Sequence, residues 1–313
     1  MIISASRRTD IPAYYSEWFF NRIKEGFVLV RNPMNFRQIG KINLLSEVVD
    51  AIVFWTKNPA PMIGRLDELR DYKHYFQFTL NPYGKDIEYS VPSKNQAIIP
   101  TFIELSKKIG KDKVIWRYDP IFLNKKYTID YHAKYFKLLV SKLCNYTEKC
   151  TISFLDYYKS IEKNINKQNI VSPSANQQIE IVARFSEIAK EYGMTIDTCA
   201  ENSDFDKYNI KHASCIDKER IERICGYKLK LNKDKNQREA CACAESIDIG
   251  MYNTCKNACI YCYANHSEIK VNQNYNSHNP LSPLLCGAIE EKDVIKEREL
   301  KTNRIETRIW DLN

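Results

Sequence analysis

Glycine is scarce in this sequence, with nine residues in 313 and no two of them adjacent. The chain therefore lacks the glycine-rich G-x-G-x-x-G loop that cradles phosphates and dinucleotides. Long apolar runs are also missing, since no stretch approaches the roughly 20 residues that a membrane-spanning helix needs. The N-terminus, MIISASRRTD, places its arginines after its apolar residues, whereas a secretory signal begins with basic ones. These absences predict a cytoplasmic protein with no membrane partner.

Charge of one sign is not concentrated either. The 47 lysines and arginines exceed the 39 aspartates and glutamates only mildly, giving a net charge of +8. Because basic and acidic residues are interspersed, there is no sign of the one-sided basic cluster that marks a nucleic-acid-binding face. The charge permits a polyanionic substrate without predicting one. The apolar fraction of 44% is ordinary for a globular protein, and this length allows one large α/β domain or two small ones.

Short apolar runs rich in β-branched and aromatic residues alternate with amphipathic stretches of helical length, which is the pattern of repeated βα units. Between the first predicted helix and the second predicted strand, residues 27–44 are expected to form a hairpin or an extra strand. The sequence thus predicts an α/β fold with six βα units. The predicted strands are residues 2–6, 51–55, 75–79, 113–117, 151–155 and 194–198. The predicted helices are residues 15–25, 61–70, 96–109, 130–143, 177–192 and 217–225.

Polar residues follow the predicted strands, at the ends where the active sites of parallel α/β proteins lie. Helix caps and turns explain part of this pattern, because Asp, Asn, Ser and Thr are favoured there for local reasons. They explain the basic residues poorly, since cations are unfavourable near helix N-termini. We expect these basic groups to converge on an anionic ligand such as a cofactor carboxylate. The candidate catalytic residues are Arg7, Arg8, Asp10, Arg117, Asp119 and Asp156.

Cysteine is abundant, and seven of the eleven cysteines lie between Cys215 and Cys262. In a cytosolic protein of this size they indicate metal binding or catalysis rather than disulfides. Cys255, Cys259 and Cys262 have C-x3-C-x2-C spacing, which lets three thiolates converge on one small inorganic group. Iron–sulfur cubanes usually have four cysteine ligands, so three leave a remote fourth ligand or an open iron. An open position is where a metal centre does chemistry, and the spacing therefore favours a catalytic 4Fe-4S cluster.

Zinc and inert thiols are the alternatives. A zinc site would also use Cys241 and Cys243, but typical structural zinc sites combine two C-x2-C units or one such unit with histidines, and this tail has only one unit. Four further cysteines suffice for a second, closed cluster, with Cys225 as a substitute ligand. Their alternative role is packing, since free cysteine behaves as a small apolar side chain. These four residues are Cys199, Cys215, Cys241 and Cys243.

The motif C-x3-C-x-aromatic-C, with Tyr261 as the aromatic residue, resembles the radical S-adenosylmethionine (radical SAM) signature, and six βα units resemble that superfamily's partial barrel. Residues 54–59 (FWTKNP) and 116–121 (WRYDPI) are similar to the spore photoproduct lyase and DNA-repair-photolyase-like branch. More closely, nearly the whole chain resembles a bacterial family catalogued as domain of unknown function 1848. Residues 4–12 (SASRRTDIP) and 248–265, which run from DIGMYNTC to CYAN, carry that resemblance.

The resemblance implies an enzyme that binds a 4Fe-4S cluster and S-adenosylmethionine and takes electrons from a reduced donor such as flavodoxin or ferredoxin. The substrate stays open among small molecules, peptides and nucleic acids, and the lyase-like segments suggest a nucleic-acid lesion as one class. The competing hypothesis is a non-catalytic protein whose cysteine-rich tail is structural or senses oxidation. The polar strand ends disfavour it, because a purely structural domain does not need them.

Two features depart from the common radical SAM pattern. The cluster loop normally follows the first strand, whereas here it comes after the sixth unit. The Gly-Gly-Glu segment expected after the second strand is also absent. The sequence therefore predicts a permuted order, with a partial (β/α)6 TIM-like barrel over residues 1–228 and a cysteine-rich segment over residues 229–313 that packs on the barrel mouth. The residues expected to bind the cofactor are Thr56, Lys57 and Asn58, which replace the missing segment, and Tyr261.

Overall fold

The structure is a computed structural model that describes residues 1–298 and 301–305. The strands are β1 (Ile2–Ala5), β2 (Phe27–Arg31), β3 (Gln38–Asn43), β4 (Ala51–Thr56), β5 (His74–Thr79), β6 (Val114–Ile121), β7 (Lys149–Phe154), β8 (Thr195–Cys199), β9 (Lys211–Ala213), β10 (Ile247–Asp248) and β11 (Val294–Glu297). The α-helices are α1 (Ile11–Tyr14), α2 (Ser16–Glu25), α3 (Ala60–Ile63), α4 (Ile99–Ile109), α5 (Ile129–Leu143), α6 (Glu162–Lys167), α7 (Ala175–Glu191), α8 (Lys218–Cys225) and α9 (Glu268–Asn276).

Eight of the strands form one parallel sheet in the order β10-β1-β4-β5-β6-β7-β8-β9. The six predicted strands are all present and lie side by side in chain order, as consecutive βα units require. The α/β prediction is therefore confirmed. Over the described residues the sheet keeps two edges, β10 and β9, so it is open and not a closed barrel.

The strands read as apolar runs because both faces of the sheet are covered. Residues 51–54 of β4, for example, are all buried. On one face the Trp116 ring of β6 stacks on Phe136 of α5, and Phe136 stacks on Phe185 of α7 with ring centroids 3.9 Å apart. Local signals set the helix ends. Thr128 caps α5 through its hydroxyl, and Gly26 ends α2 in the left-handed region.

One predicted helix is wrong as drawn. Residues 61–70 do not form a single helix, because α3 ends at Ile63 and a separate 3-10 turn follows at Leu66–Leu69. Gly64, a poor helix former, stands at the break. The hairpin prediction for residues 27–44 is confirmed: β2 and β3 pair antiparallel, and β11 joins β3 to complete a separate three-stranded sheet.

The C-terminal segment wraps around the rest of the chain instead of forming a layer of its own. Its strand β10 extends the main sheet beside β1, and β11 extends the hairpin sheet. Between them, the indole of Trp18 on α2 donates a hydrogen bond to the Ser282 carbonyl at 2.9 Å. None of the helices in the described part of the chain is both long enough and apolar enough to cross a membrane.

Candidate functional site

A cavity of about 480 Å³ lies at the carboxyl ends of the central strands. Eight of the predicted strand-end residues contribute to its wall, and so do six of the seven predicted cysteine ligands, the exception being Cys259. Asn58 does not line the cavity, because its side chain accepts a hydrogen bond from the Ala60 amide and so belongs to a turn. The lining strand-end residues are Arg7, Arg8, Asp10, Thr56, Lys57, Arg117, Asp119 and Asp156.

Asp248 ties the C-terminal segment to the end of β1. Its half-buried carboxylate accepts hydrogen bonds from the hydroxyls of Ser4 and Ser6 at 2.8 and 2.5 Å and from the Arg7 amide at 2.8 Å. Arg8 donates to it through Nε at 2.9 Å. Burial raises the pKa of Asp248, but the charge of Arg8 and these hydrogen bonds outweigh it and hold the pKa below its usual range. The predicted catalytic residue Arg8 is therefore occupied in anchoring this segment.

Gly250 lets the two segments meet. A Cβ atom at this position would lie 2.1 Å from the Ser6 Oγ and 2.5 Å from the Ser6 Cβ, far inside van der Waals contact. Only a residue without a side chain therefore fits between β10 and the end of β1. From there the chain enters the cysteine loop directly.

Side chains from α1 and from the residues that cap its two ends hold the cysteine loop from one side. Tyr15 donates to the Thr254 carbonyl at 2.6 Å, and Tyr14 donates to the Asn257 side-chain oxygen at 2.9 Å. Asn257 in turn donates to Asp10 at 2.9 Å. Asp10 also accepts from the Lys57 amide at 2.8 Å, and burial raises the pKa of its carboxyl. Its oxygens are thus engaged in joining the strand ends to the loop, although the sequence suggested a catalytic role.

A buried charge network holds the same loop from the other side. Residue 259 forms a β-bridge with Glu88, and the carboxylate of Glu88 accepts hydrogen bonds from Lys57 at 2.8 Å, from Lys94 and from Tyr261. Burial lowers the pKa of Lys57, but Glu88 outweighs it, so the pKa of Lys57 lies above its usual range. Lys57 and Tyr261 therefore lie together through a carboxylate that the sequence did not reveal, and their assignment to cofactor binding stays a prediction.

The three loop cysteines lie close together with their thiols in a low-dielectric setting. Burial raises the pKa of each thiol, to about 12 for Cys259, and the neighbouring thiols raise the pKa of Cys255 further. Such groups stay protonated by themselves, whereas a bound metal centre converts thiols to thiolates. The donor set fits a thiophilic metal centre: three soft sulfur ligands on one loop, at the wall of a cavity. The loop thus carries donors of the type that a thiophilic metal centre uses.

The four other predicted sulfur ligands also come together. The Sγ atoms of Cys199 and Cys215 are 3.0 Å apart, and Cys243 and Cys241 adjoin them. Hydrogen bonds from the Cys199 and Cys243 thiols, then the charge of Arg117, hold the pKa of Cys215 well below its usual range. Across the described residues, no three His, Cys, Asp or Glu side chains converge as a ready site for a single metal ion. A cluster makes a different demand, since its ligands bind different irons.

The remaining predicted residues form ion pairs at the rim. Arg117 is paired with Asp119, with Nη2 and Oδ2 2.5 Å apart, and Ser153 donates to the same carboxylate. Asp156 is half exposed and pairs with Arg238. Asp119 and Asp156 are therefore partnered carboxylates and not free acids.

Two buried polar atoms on the cavity wall have no hydrogen-bond partner among the described residues: Arg7 Nη2 and Thr9 Oγ1. Arg7 makes only a long ion pair, 3.9 Å to Asp234, and lies over the Trp55 ring. An unsatisfied buried donor is costly, so these atoms mark where a polar ligand would bind. Of the predicted basic residues, Arg7 is the one with a donor to spare.

Three anchoring residues escaped the sequence analysis: Asp248, Glu88 and Asn257. Glu88 lies in an irregular loop with no periodic pattern, so nothing local identifies it. Asp248 and Asn257 lie within or beside the motif that carries the family resemblance, and that motif was the available signal.

The comparisons with known proteins give one match. The model of a family described as a domain of unknown function, DUF1848, matches residues 2–264, which include the whole cysteine loop and the strands of the main sheet. No curated protein and no solved structure matches the chain.

Proposed function

The chain belongs to the DUF1848 family, and from that premise we propose that it is a radical SAM-type enzyme. The observation that carries the proposal is the position of Cys255, Cys259 and Cys262. They occupy one loop that is held at the carboxyl ends of the parallel strands, against a cavity with a spare guanidinium donor. The order of the six predicted strands, which matches that of a (β/α)6 partial barrel, supports it as well.

The three loop cysteines would hold a 4Fe-4S cluster with one open iron. When bound and reduced, such a cluster supplies the electron that cleaves a carbon–sulfur bond of S-adenosylmethionine. A donor protein such as flavodoxin or ferredoxin would deliver that electron. The residues of this chain provide position, charge and exclusion of water.

Arg7 is the residue we assign to the cofactor's carboxylate. Its Nη2 is buried and unpartnered, and its backbone carbonyl accepts a hydrogen bond from Tyr263, the residue next to Cys262. That bond ties the Arg7 backbone to the end of the cluster loop, while the guanidinium lies over the Trp55 ring on the cavity wall. Thr9, whose hydroxyl is also unpartnered, offers a second polar group on the same wall. A charge-assisted hydrogen bond from a buried guanidinium is among the stronger interactions that a carboxylate can make.

Glu88 and Asp248 act as positioning residues in this proposal. Glu88 joins Lys57 to Tyr261, and Asp248 fixes the chain that enters the loop. Glu88 is buried and Asp248 half-buried, and both are multiply hydrogen-bonded, so the loop is held before any ligand arrives. Such preorganisation allows a site to bind and orient a reactive group without rearrangement.

The direct test is cofactor cleavage. Protein reconstituted anaerobically with iron and sulfide, then given dithionite and S-adenosylmethionine, is expected to release 5′-deoxyadenosine, measured by liquid chromatography and mass spectrometry. Cys255→Ala and Cys262→Ala are expected to abolish this release. The matched control is Cys144→Ser, a change at the C-terminal end of α5 that leaves the loop untouched.

Arg7→Gln separates the binding of S-adenosylmethionine from the loading of the protein with iron. It is expected to keep the iron content of the parent protein while weakening S-adenosylmethionine binding at least tenfold, because a hydrogen bond to a charged group contributes about 1.5–3 kcal/mol. Fully loaded protein that cleaves no cofactor with several reductants would refute the proposed function. Unchanged binding in Arg7→Gln would refute the role of Arg7 alone.

A further inference from the structure

Four cysteines outside the cluster loop gather on the β8 side of the cavity. Cys199 is the last residue of β8, and Cys215 follows the adjacent strand β9, with which β8 is in register at Cys199 and Ala213. This pairing brings their Sγ atoms to 3.0 Å. This is a contact between two thiols and not a disulfide, since both cysteines are free.

The other two sulfurs arrive from a loop more than 20 residues further along the chain. Residues 233 and 244 form a β-bridge that closes this loop. The Ala244 amide donates to the Ile216 carbonyl at 3.1 Å, and the Ser214 hydroxyl donates to the Ala242 carbonyl at 2.8 Å. Long-range hydrogen bonds thus hold Cys241 and Cys243 beside the chain around Cys215.

Two hydrogen-bond donors point at sulfur atoms of this group of four cysteines. The Ile216 amide donates to Cys243 Sγ at 3.4 Å, and Arg117 Nη1 donates to Cys215 Sγ at 2.8 Å. The Cys215 carbonyl is fixed in turn by Tyr75 at 2.5 Å and Gln77 at 2.8 Å. Cysteines that only fill a core behave as apolar side chains and need no such donors. N–H donors directed at sulfur are an arrangement suited to thiolate ligands, whose hydrogen bonds tune a metal centre.

We propose that these four cysteines bind a second metal centre, a closed iron–sulfur cluster in which every iron has a cysteine ligand. Four thiolates match the ligand number of such a cluster. One zinc ion on the same four thiolates is the alternative, and the metal content of the protein separates the two. The side chains line the cavity, so they can turn toward it as a cluster spreads them apart.

A closed cluster has no open iron and so does not bind the cofactor. Placed on the same cavity as the cluster loop, it would relay electrons. That role rests on the proposed function, but the metal site itself does not.

The test removes the first site to expose the second. In Cys255→Ala/Cys259→Ala/Cys262→Ala protein, anaerobic reconstitution is expected to leave about four iron and four sulfide per chain, with the Mössbauer spectrum of an all-cysteine cluster. Adding Cys241→Ser and Cys243→Ser is expected to remove them. Cys144→Ser is the matched control, since this free thiol lies at the C-terminal end of α5 and belongs to neither group of cysteines.

The outcomes are separable. Folded triple-variant protein that takes up no iron, or that holds one zinc ion per chain instead, overturns the second cluster. A Cys199–Cys215 disulfide in anaerobically purified protein overturns it as well. Should the five-residue variant not fold, the iron content and Mössbauer spectrum of the triple variant decide alone. By contrast, wild-type protein that holds no more iron than the triple variant refutes the cluster loop and leaves the second site standing.

Discussion

Replacing Gly250 with alanine should break the junction that delivers the cysteine loop. The added Cβ would overlap the Ser6 Oγ at 2.1 Å and the Ser6 Cβ at 2.5 Å, whereas ordinary contacts begin near 3.4 Å. The hydroxyl can rotate, but the Ser6 Cβ moves only with its backbone. The two chain segments must therefore separate by about 1 Å in a close-packed interior.

That separation has a calculable effect on stability. Overpacking of this kind costs about 1–3 kcal/mol. The Ser6 hydroxyl also joins Asp248 at 2.5 Å and the Arg8 amide at 2.9 Å, and losing such bonds costs about 1 kcal/mol each. Gly250 does not have a positive φ, so the effect is steric and not conformational. We expect Gly250→Ala to lower the free energy of unfolding by about 3–5 kcal/mol.

Urea denaturation of the metal-free proteins measures this change. The matched control is Gly64→Ala, where a Cβ meets nothing within 4 Å and the backbone is already helical, so stability is expected to stay equal or rise by up to about 1 kcal/mol. Ser6→Gly removes both clashing atoms and should restore the steric part of the loss in Gly250→Ala, about 1–3 kcal/mol, but not the hydrogen bonds of the Ser6 hydroxyl. Equal stability of the Gly250→Ala and Gly64→Ala proteins, within about 0.5 kcal/mol, would refute the reasoning.

Three further changes test other parts of the fold. Burial lowers the pKa of His132 to about 4, so below about pH 6.5 the unfolded state binds a proton at this residue and the folded state does not. His132 alone should therefore lower stability by about 3 kcal/mol between pH 6.5 and 4, in addition to any contribution of His74, whose pKa burial also lowers to about 4. Urea midpoints across that range should show a shallower fall in His132→Gln, and an identical slope would contradict the assignment. Thr128→Ala removes the hydroxyl that caps α5 by accepting from the Tyr131 amide at 3.2 Å, and it should cost about 1 kcal/mol by the same assay, whereas Ser141→Ala on the exposed face of α5 should not. Asp293→Asn weakens an ion pair in which Arg31 donates two hydrogen bonds to Asp293, at 2.7 and 2.8 Å. Amide hydrogen exchange should become faster in β11 and stay unchanged in β5. If β11 exchanges at the same rate in the variant and the parent protein, the ion pair does not hold the strand.

The main sheet was predictable because each central strand is an apolar run bounded by a helical pattern. Residues 51–54, buried on both faces, have no other stable use than a central strand. The short strands β9 and β10 were not predictable. They have three and two residues, too few for any periodicity, and they form only because β8 and β1 offer an open edge.

The sequence predicted which residues line the candidate site better than it predicted what each of them does. Strand-end position brought Arg7, Lys57 and Arg117 to one cavity, as the geometry of parallel sheets requires. Which of them has a free donor depends on partners far away in sequence. Arg117 is satisfied by Asp119 and Cys215, Lys57 by Glu88, and only the three-dimensional contacts leave Arg7 with a spare atom.

One strand pairing explains how a cysteine loop late in the chain reaches the end of β1. β10 lies parallel to β1 with Ile3 opposite Ile247 and Ser4 opposite Asp248. Parallel neighbours leave a sheet at the same end, so the loop after β10 emerges beside the loop after β1 and at the same level. A cysteine loop can thus reach the same edge of the sheet from either end of the sequence, provided that a short strand returns to β1. Two residues of strand are enough here because Asp248 adds four hydrogen bonds from the end of β1.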